Sequence, residues 1–239
     1  MIIFLISLAL FLLTIFAIQV YLRRVWFYRD PKRTPPLEKN IIISPADGQV
    51  IYIKEVNAQN VICEKLGEKI PVAEISKSNI QIDDGYLIGI YMSPLDVHYN
   101  YAPISGVVES VEHSQAKFNL AMVDLWEYIK ITYFRRAIDL FAKKFHFQNE
   151  RNTLLIKGDI PIAIVEIADK FVNKINCFVK AGQAVNVGQK LAFIERGSQV
   201  DLFVPGNCDI CIEVGQQVFG GLTPIGFIMP RDGDRTPRL

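Results

Sequence analysis

Cysteine is scarce in this chain and net charge is almost absent, and each scarcity narrows what the protein can be. The four cysteines, Cys63, Cys177, Cys208 and Cys211, are too few and too scattered over 239 residues to form a secreted disulfide framework. A reducing compartment is expected, and stability must come from a buried core. The 26 Lys and Arg are balanced by 25 Asp and Glu, a net charge of +1. With no basic excess to track a phosphate backbone, no nucleic-acid partner is expected. Half the residues are hydrophobic and 21% charged, too apolar a balance for a disordered chain. Histidine is limited to His98, His113 and His146, none at metal-ligand spacing from another ligand. Cys208-Asp-Ile-Cys211 is a lone CxxC without a second pair or a nearby histidine. It reads as two small residues on a strand, and no metal is expected.

What is present begins with a long apolar run. Residues 2–22, IIFLISLALFLLTIFAIQVYL, carry no charge, and about 20 apolar residues at roughly 1.5 Å per residue match a hydrocarbon core of about 30 Å. The run lacks the charged leader and small-residue cleavage site of a signal peptide, so residues 1–22 read as a permanent transmembrane anchor. Arg23, Arg24, Arg29, Lys32 and Arg33 follow directly, and the positive-inside rule then places the rest on the cytoplasmic side of the cell membrane as a single-pass protein. Residues 23–40, with WFYRDPKRTPP, read as a short stiff juxtamembrane linker, and residues 41–239 as the folded domain.

Within that domain, β-branched runs such as IIIS, GQVIYI, YLIGIYM and GVVESV alternate with Pro, Gly, Asp and Asn. This is the pattern of a strand-rich fold. Between Leu120 and Phe147 there is neither Gly nor Pro, and Phe134, Ile138, Phe141 and Phe145 recur at helical spacing opposite Arg135, Arg136, Asp139, Lys143 and Lys144. One helix is expected there, either covering the sheet or lying in a membrane interface. The last quarter echoes itself: GQAVNVGQKLAFI from Gly182 and GQQVFGGLTPIGFI from Gly215 share G-Q-x-V-x-x-G. Pro45-x-x-Gly48-x-Val50 is likewise echoed by Pro103-x-x-Gly106-x-Val108. The echoes resemble the interlocked hairpins of biotinyl and lipoyl domains. They imply an α+β, mainly β fold: a flattened β sandwich of interlocked hairpins with added helices, plus one N-terminal transmembrane helix. A swinging-arm lysine at a hairpin tip is lacking, so a carrier function does not follow.

His98 stands in a Pro-bounded loop after an apolar strand, where a scaffold presents a side chain able to move a proton near neutral pH. Asp47, in SPADG, is by itself an ordinary turn residue, and Gly197-Ser198 by itself a polar turn. Five blocks in order change their meaning: FYRDPKR from Phe27, SPADGQV from Ser44, SPLDVHYNYAPISG from Ser93, NERN from Asn149 and RGSQVDLFVP from Arg196. Together they resemble the phosphatidylserine decarboxylases, especially the short form.

The resemblance implies self-cleavage between Gly197 and Ser198, with Ser198 becoming an N-terminal pyruvoyl group, the cofactor. Asp47 matches the family's processing Asp, and of the two histidines that long forms carry in the loop the first falls on His98 and the second on Tyr101. His98 is the expected member of the processing relay and is also the type of group to protonate the carbanion left by decarboxylation. The activity implied is decarboxylation of a serine phospholipid to its ethanolamine form, through a Schiff base to the pyruvoyl group, in phospholipid biosynthesis. The partners implied are the lipid substrate, the membrane, and the chain's own two fragments as a heterodimer or a higher oligomer. Two places depart from the family pattern: Glu195 before the cut, and Tyr101 where short forms usually carry Arg. Two other readings stay open, a membrane-anchored adaptor with a lipoyl-like hairpin domain and an inactive decarboxylase homologue.

Overall fold

The computed structural model describes residues 1–63, 69–80, 84–170, 175–195 and 198–229, apart from the side chains of Arg23 and Cys63. The protein is mainly β, with several sheets, short added helices and one long apolar helix in front. That helix, Ile2–Tyr21, has no buried residue, and with its continuation to Trp26 it is long and apolar enough to cross a membrane.

A ten-stranded antiparallel sheet organises the rest. Its central strands are Arg151–Lys157, Pro161–Ala168, Ser198–Pro205, Gly85–Met92 and Gly48–Val56, in that spatial order. These strands are apolar on both faces because each face has its own core. Ile88, Ile90, Met92, Ile162, Ile164, Val200, Leu202 and Val204 face one, and Leu87, Tyr91, Ala163, Val165, Ile167 and Phe203 face the other. The first core is closed by two three-stranded sheets. One is Ile41–Ile43, Pro224–Ile228 and Cys208–Ile210; the other is Ile175–Cys177, Lys190–Ile194 and Tyr99–Tyr101.

The repeated sequence is a repeated structure. Val185 pairs with Gly106, and Val218 with Gly48. Gly182 donates to the carbonyl of Val108 at 2.7 Å, and Gly215 to that of Val50 at 2.8 Å. Each half also reaches into the other, Tyr101 donating to Pro45 O and Ile43 to Pro103 O. Gly182 and Gly215 have φ of 83° and 98°, a left-handed conformation that glycine adopts without a Cβ penalty. The glycines of the sequence echo therefore mark the matching turns of two interlocked hairpins.

The expected long helix over 120–147 is not formed. Leu125–Thr132 is helical, opened by an Asp124–Glu127 capping box, and Phe145–Gln148 makes a single further turn. Left-handed φ at Arg135 (51°) and Ala142 (58°) breaks the chain between them. Phe141 and Phe145 are core residues of the second face, whereas Phe134 is 67% exposed. Their spacing is thus set by packing of separate short pieces, and no Gly or Pro announces the breaks.

Candidate active site

Ser198 opens the strand Ser198–Pro205, flanked by Met92 on one side and Ala168 on the other. It is fully buried, and its hydroxyl donates to the sulfur of Met92 at 3.2 Å. Thioether sulfur is a weak acceptor, so little holds that hydroxyl in its present rotamer. Arg196 and Gly197 lie outside the described residues, and with them the Gly197 side of the expected cut.

The loop that follows Met92 carries His98. Asp96 fixes its start by accepting from the backbone N–H of Ser93 at 2.9 Å and from the Ser93 hydroxyl at 2.6 Å. His98 is fully buried, its ring 4.1 Å from that of Phe27 between centroids, and its carbonyl accepts from Ile194 at 3.1 Å. Nδ1 faces the Asp96 carbonyl at 3.0 Å. A carbonyl only accepts, so Nδ1 carries the proton and Nε2 a free lone pair. Nε2 has no partner. Burial depresses the imidazole pKa to about 3, against a modest upward pull from the Asp96 carbonyl, so the ring is neutral at working pH.

Asp47 is engaged elsewhere. Its carboxylate takes both guanidinium nitrogens of Arg33, at 2.5 and 2.8 Å, and the backbone N–H of Gly220 at 2.7 Å. The pair is almost wholly buried. Burial pulls the Arg33 pKa down, but the Asp47 carboxylate outweighs it and the net shift is upward. In the other half of the internal repeat Ser105 stands where Asp47 does, and its hydroxyl likewise accepts from a backbone N–H, that of Val187, at 2.9 Å. Among the described residues no hydrogen bond joins the side chains of Asp47, His98 and Ser198. The Arg33 guanidinium also lies 4.8 Å over the ring of Tyr101, so a cation is supplied beside the position where short forms usually carry Arg.

The FYRDPKR block packs along the domain as a strap. Phe27 covers His98, Tyr28 stacks on Phe193, Arg29 donates to the Leu95 carbonyl at 2.6 Å, Asp30 pairs with Lys190 and Arg33 with Asp47. Beside the strap lies a cavity of about 1050 Å³, walled by Leu22, Arg24 and Phe27, by Pro94 and Leu95, by Leu125 and Tyr128 of the capped helix, and by Asp169 and Glu195. Tyr91, Asp169 and Glu195 place it at the ends of the segments that converge on Ser198.

The family model of phosphatidylserine decarboxylase matches residues 20–226. The chain belongs to the phosphatidylserine decarboxylase family. A protein of Methanocaldococcus jannaschii named "Putative archaetidylserine decarboxylase proenzyme" is 36% identical over 202 residues, 84% of this chain and 87% of that protein. The phosphatidylserine decarboxylase proenzyme of Carboxydothermus hydrogenoformans is 33% identical over 222 residues, 91% of this chain and 85% of that one. That of Magnetococcus marinus is 28% identical over 210 residues, covering 87% and 79%. A decarboxylase family assigns a lyase.

For a phosphatidylserine decarboxylase family member, several polar residues of this structure went unread in the sequence. On the face opposite Ser198, Tyr52 donates to Asp201 Oδ1 at 2.6 Å, His146 Nε2 lies 2.6 Å from Asp201 Oδ2, and Gln199 donates to Tyr52 at 2.6 Å and to Asp201 at 2.8 Å. All four are buried in the second core. Arg151 of the NERN block is fully buried and donates to the carbonyls of Asn149, His146 and Ile75, tying three segments together. The CxxC cysteines part company, Cys208 buried with its thiol pushed up to about 11 by burial and Cys211 exposed.

Proposed function

We propose that the chain is a proenzyme that cuts itself between Gly197 and Ser198 and then decarboxylates a serine phospholipid to its ethanolamine form. The observation that carries this reading is the placement of Ser198, buried at the convergence of three segments whose ends wall a cavity beside the exit of the apolar helix. Residues 1–22 serve as anchor, 23–40 as the strap leading in, and 41–239 as the decarboxylase domain, its two fragments staying together as a heterodimer. Those fragments share the central sheet, since Ser198–Pro205 pairs on both sides with strands that precede the cut. Diacyl and isoprenoid ether lipids share the serine headgroup, so both fit the reading.

The residues around Ser198 suit a pyruvoyl group made from it. Ser198 supplies the hydroxyl that attacks the preceding carbonyl. His98 Nε2, neutral and unpartnered, is chemically able to take that proton as base. Asn100 donates to the sulfur of Met92 at 3.7 Å, and its unpartnered Oδ1 can accept from the headgroup ammonium. Once formed, the pyruvoyl group supplies an electron sink for the pair released as carbon dioxide leaves. The test is intact mass of the purified protein together with headgroup conversion in serine-lipid vesicles. Fragments 1–197 and 198–239 with conversion are expected, whereas an uncut, inactive chain returns the adaptor or the inactive homologue.

His98→Ala is expected to leave the chain whole, because it removes the base proposed here for Ser198. Full cutting on a gel at the wild-type rate removes His98 from the relay. Membrane attachment is expected to rest on two features. Deleting residues 1–22 should release most of the protein from vesicles. Part should remain through Phe118, Leu125, Trp126, Tyr133 and Phe134, all well over half exposed, with Leu125 and Tyr133 walling the cavity. Cosedimentation with anionic vesicles at low and high salt separates apolar retention from the screened attraction of the remaining cations. The positive-inside rule applied to the cations after the helix places the domain on the cytoplasmic side. Arg29 and Arg33 are turned toward the domain, while Arg24 lines the cavity.

A further inference from the structure

The face of the sheet that carries Ser198 also buries a carboxyl group, Glu166, in the strand Pro161–Ala168. Glu166 stands opposite Asn152 on one neighbouring strand and Val200 on the other. Because Ser198 pairs with Ala168, Glu166 is its diagonal neighbour, and side-chain alternation turns both to the first core. Diagonal partners lie about 7–8 Å apart, within reach of a long side chain. The three-stranded sheet above closes this face with a row that runs Cys177, Ala192, Asn100. Cys177 lies over Asn152 and Glu166, and Asn100 reaches the Met92 sulfur to which Ser198 donates. Ser198 and Glu166 thus lie under opposite ends of one short row, both buried.

Glu166 Oε2 accepts from Asn152 at 2.9 Å, and among the described residues Oε1 has no hydrogen-bond partner. Burial raises its pKa to about 8, with the Asn152 hydrogen bond pulling the other way, so the carboxyl keeps its proton at neutral pH. His98 is the reverse case, with no proton to give at Nε2. Cys177 is the titratable group facing Glu166 from the overlying sheet, whereas Arg151, His146 and Asp201 belong to the opposite face.

We propose that Glu166, not His98, donates the proton to the substrate carbon that carbon dioxide leaves at the site formed from Ser198. The inference rests on the decarboxylase reading above. In the step, the carbon–carboxylate bond breaks and its electron pair stays on the carbon. Glu166 gives its proton to that carbon, a C–H bond forms, and the carboxylate left on Glu166 recovers a proton from water. A donor whose proton is held near the working pH is the kind that general acid catalysis favours.

Two measurements test it on the full-length chain. The first is stability against pH in the Ser198→Ala background. The folded protein keeps the Glu166 proton up to about 8 while the unfolded chain loses it near 4.5. Stability therefore falls as pH rises between those values, by about tenfold in the unfolding constant per pH unit. Adding Glu166→Gln should remove that slope, and an unchanged slope overturns the proposal. The second is turnover of serine-phospholipid micelles by the cut enzyme. Glu166→Gln is expected to lose about 10²–10⁴ in rate and the alkaline limb near pH 8, and wild-type turnover with that limb intact overturns it. Asn152→Leu removes the bond that favours ionised Glu166 and should move the limb to higher pH. An unmoved limb overturns the proposal even if Glu166→Gln does not fold. A wild-type chain that neither cuts nor decarboxylates overturns the decarboxylase reading itself, and is seen before any Glu166 variant is compared.

Discussion

Ser198→Ala is expected to yield one uncut chain of 239 residues with no decarboxylase activity. The loss is complete rather than partial because the hydroxyl is both the attacking group and, as the ester oxygen, the group whose elimination with the Gly197 carboxylate leaves the dehydroalanine that water turns into the reactive ketone. Folding should be nearly untouched. The hydroxyl's hydrogen bond goes to the Met92 sulfur, a weak acceptor, so its removal costs at most about 1 kcal/mol. An unchanged urea midpoint beside zero cutting and zero turnover therefore assigns the effect to chemistry. Persistent conversion of serine phospholipid by the variant, measured as ethanolamine headgroup, ends the self-processing reading.

What could be read from the sequence, and what could not, follows from how local each signal is. The hairpin echo was legible because Gly182 and Gly215 answer a purely local demand for left-handed backbone. The long apolar helix Ile2–Tyr21 was legible because length and apolarity are local too. The 120–147 segment misled because Phe141 and Phe145, four apart, satisfy a helical period while being buried by distant partners. Arg135 and Ala142 take left-handed conformations that their residue types do not advertise.

The site divides in the same way. Ser198, His98 and Asp47 came from short blocks, yet the block residues alone do not say that Asp47 turns to Arg33 and Gly220. The buried network of Tyr52, His146, Gln199 and Asp201 joins residues separated by up to 149 positions, which no local pattern announces. Glu166 did leave a trace, as a lone carboxyl in PIAIVEIA. A charge inside a strand apolar on both faces is costly unless it is paired or neutral, and that cost is the signal that went unused.

Removing Asp47 or Arg33 should have the largest effect on stability and should show how Asp47 serves the site. The pair is bidentate and almost wholly buried, and breaking such a pair from one side leaves an uncompensated charge at a cost of about 3–5 kcal/mol. Asp47→Asn and Arg33→Met should each fall in that range, read as a shift in the urea midpoint, and the double variant should recover much of the loss because no charge remains stranded. Cutting is expected to behave differently. Arg33 belongs to the strap whose Phe27 covers His98, so both single variants and the double variant should slow processing by a similar factor, non-additively, as for residues acting as one unit. That result makes Asp47 a positioning residue that acts through Arg33. Wild-type cutting in Arg33→Met beside slow cutting in Asp47→Asn puts the Asp47 carboxylate in the proton relay itself, and normal cutting in both returns it to the plain turn role that Ser105 plays in the other half of the repeat.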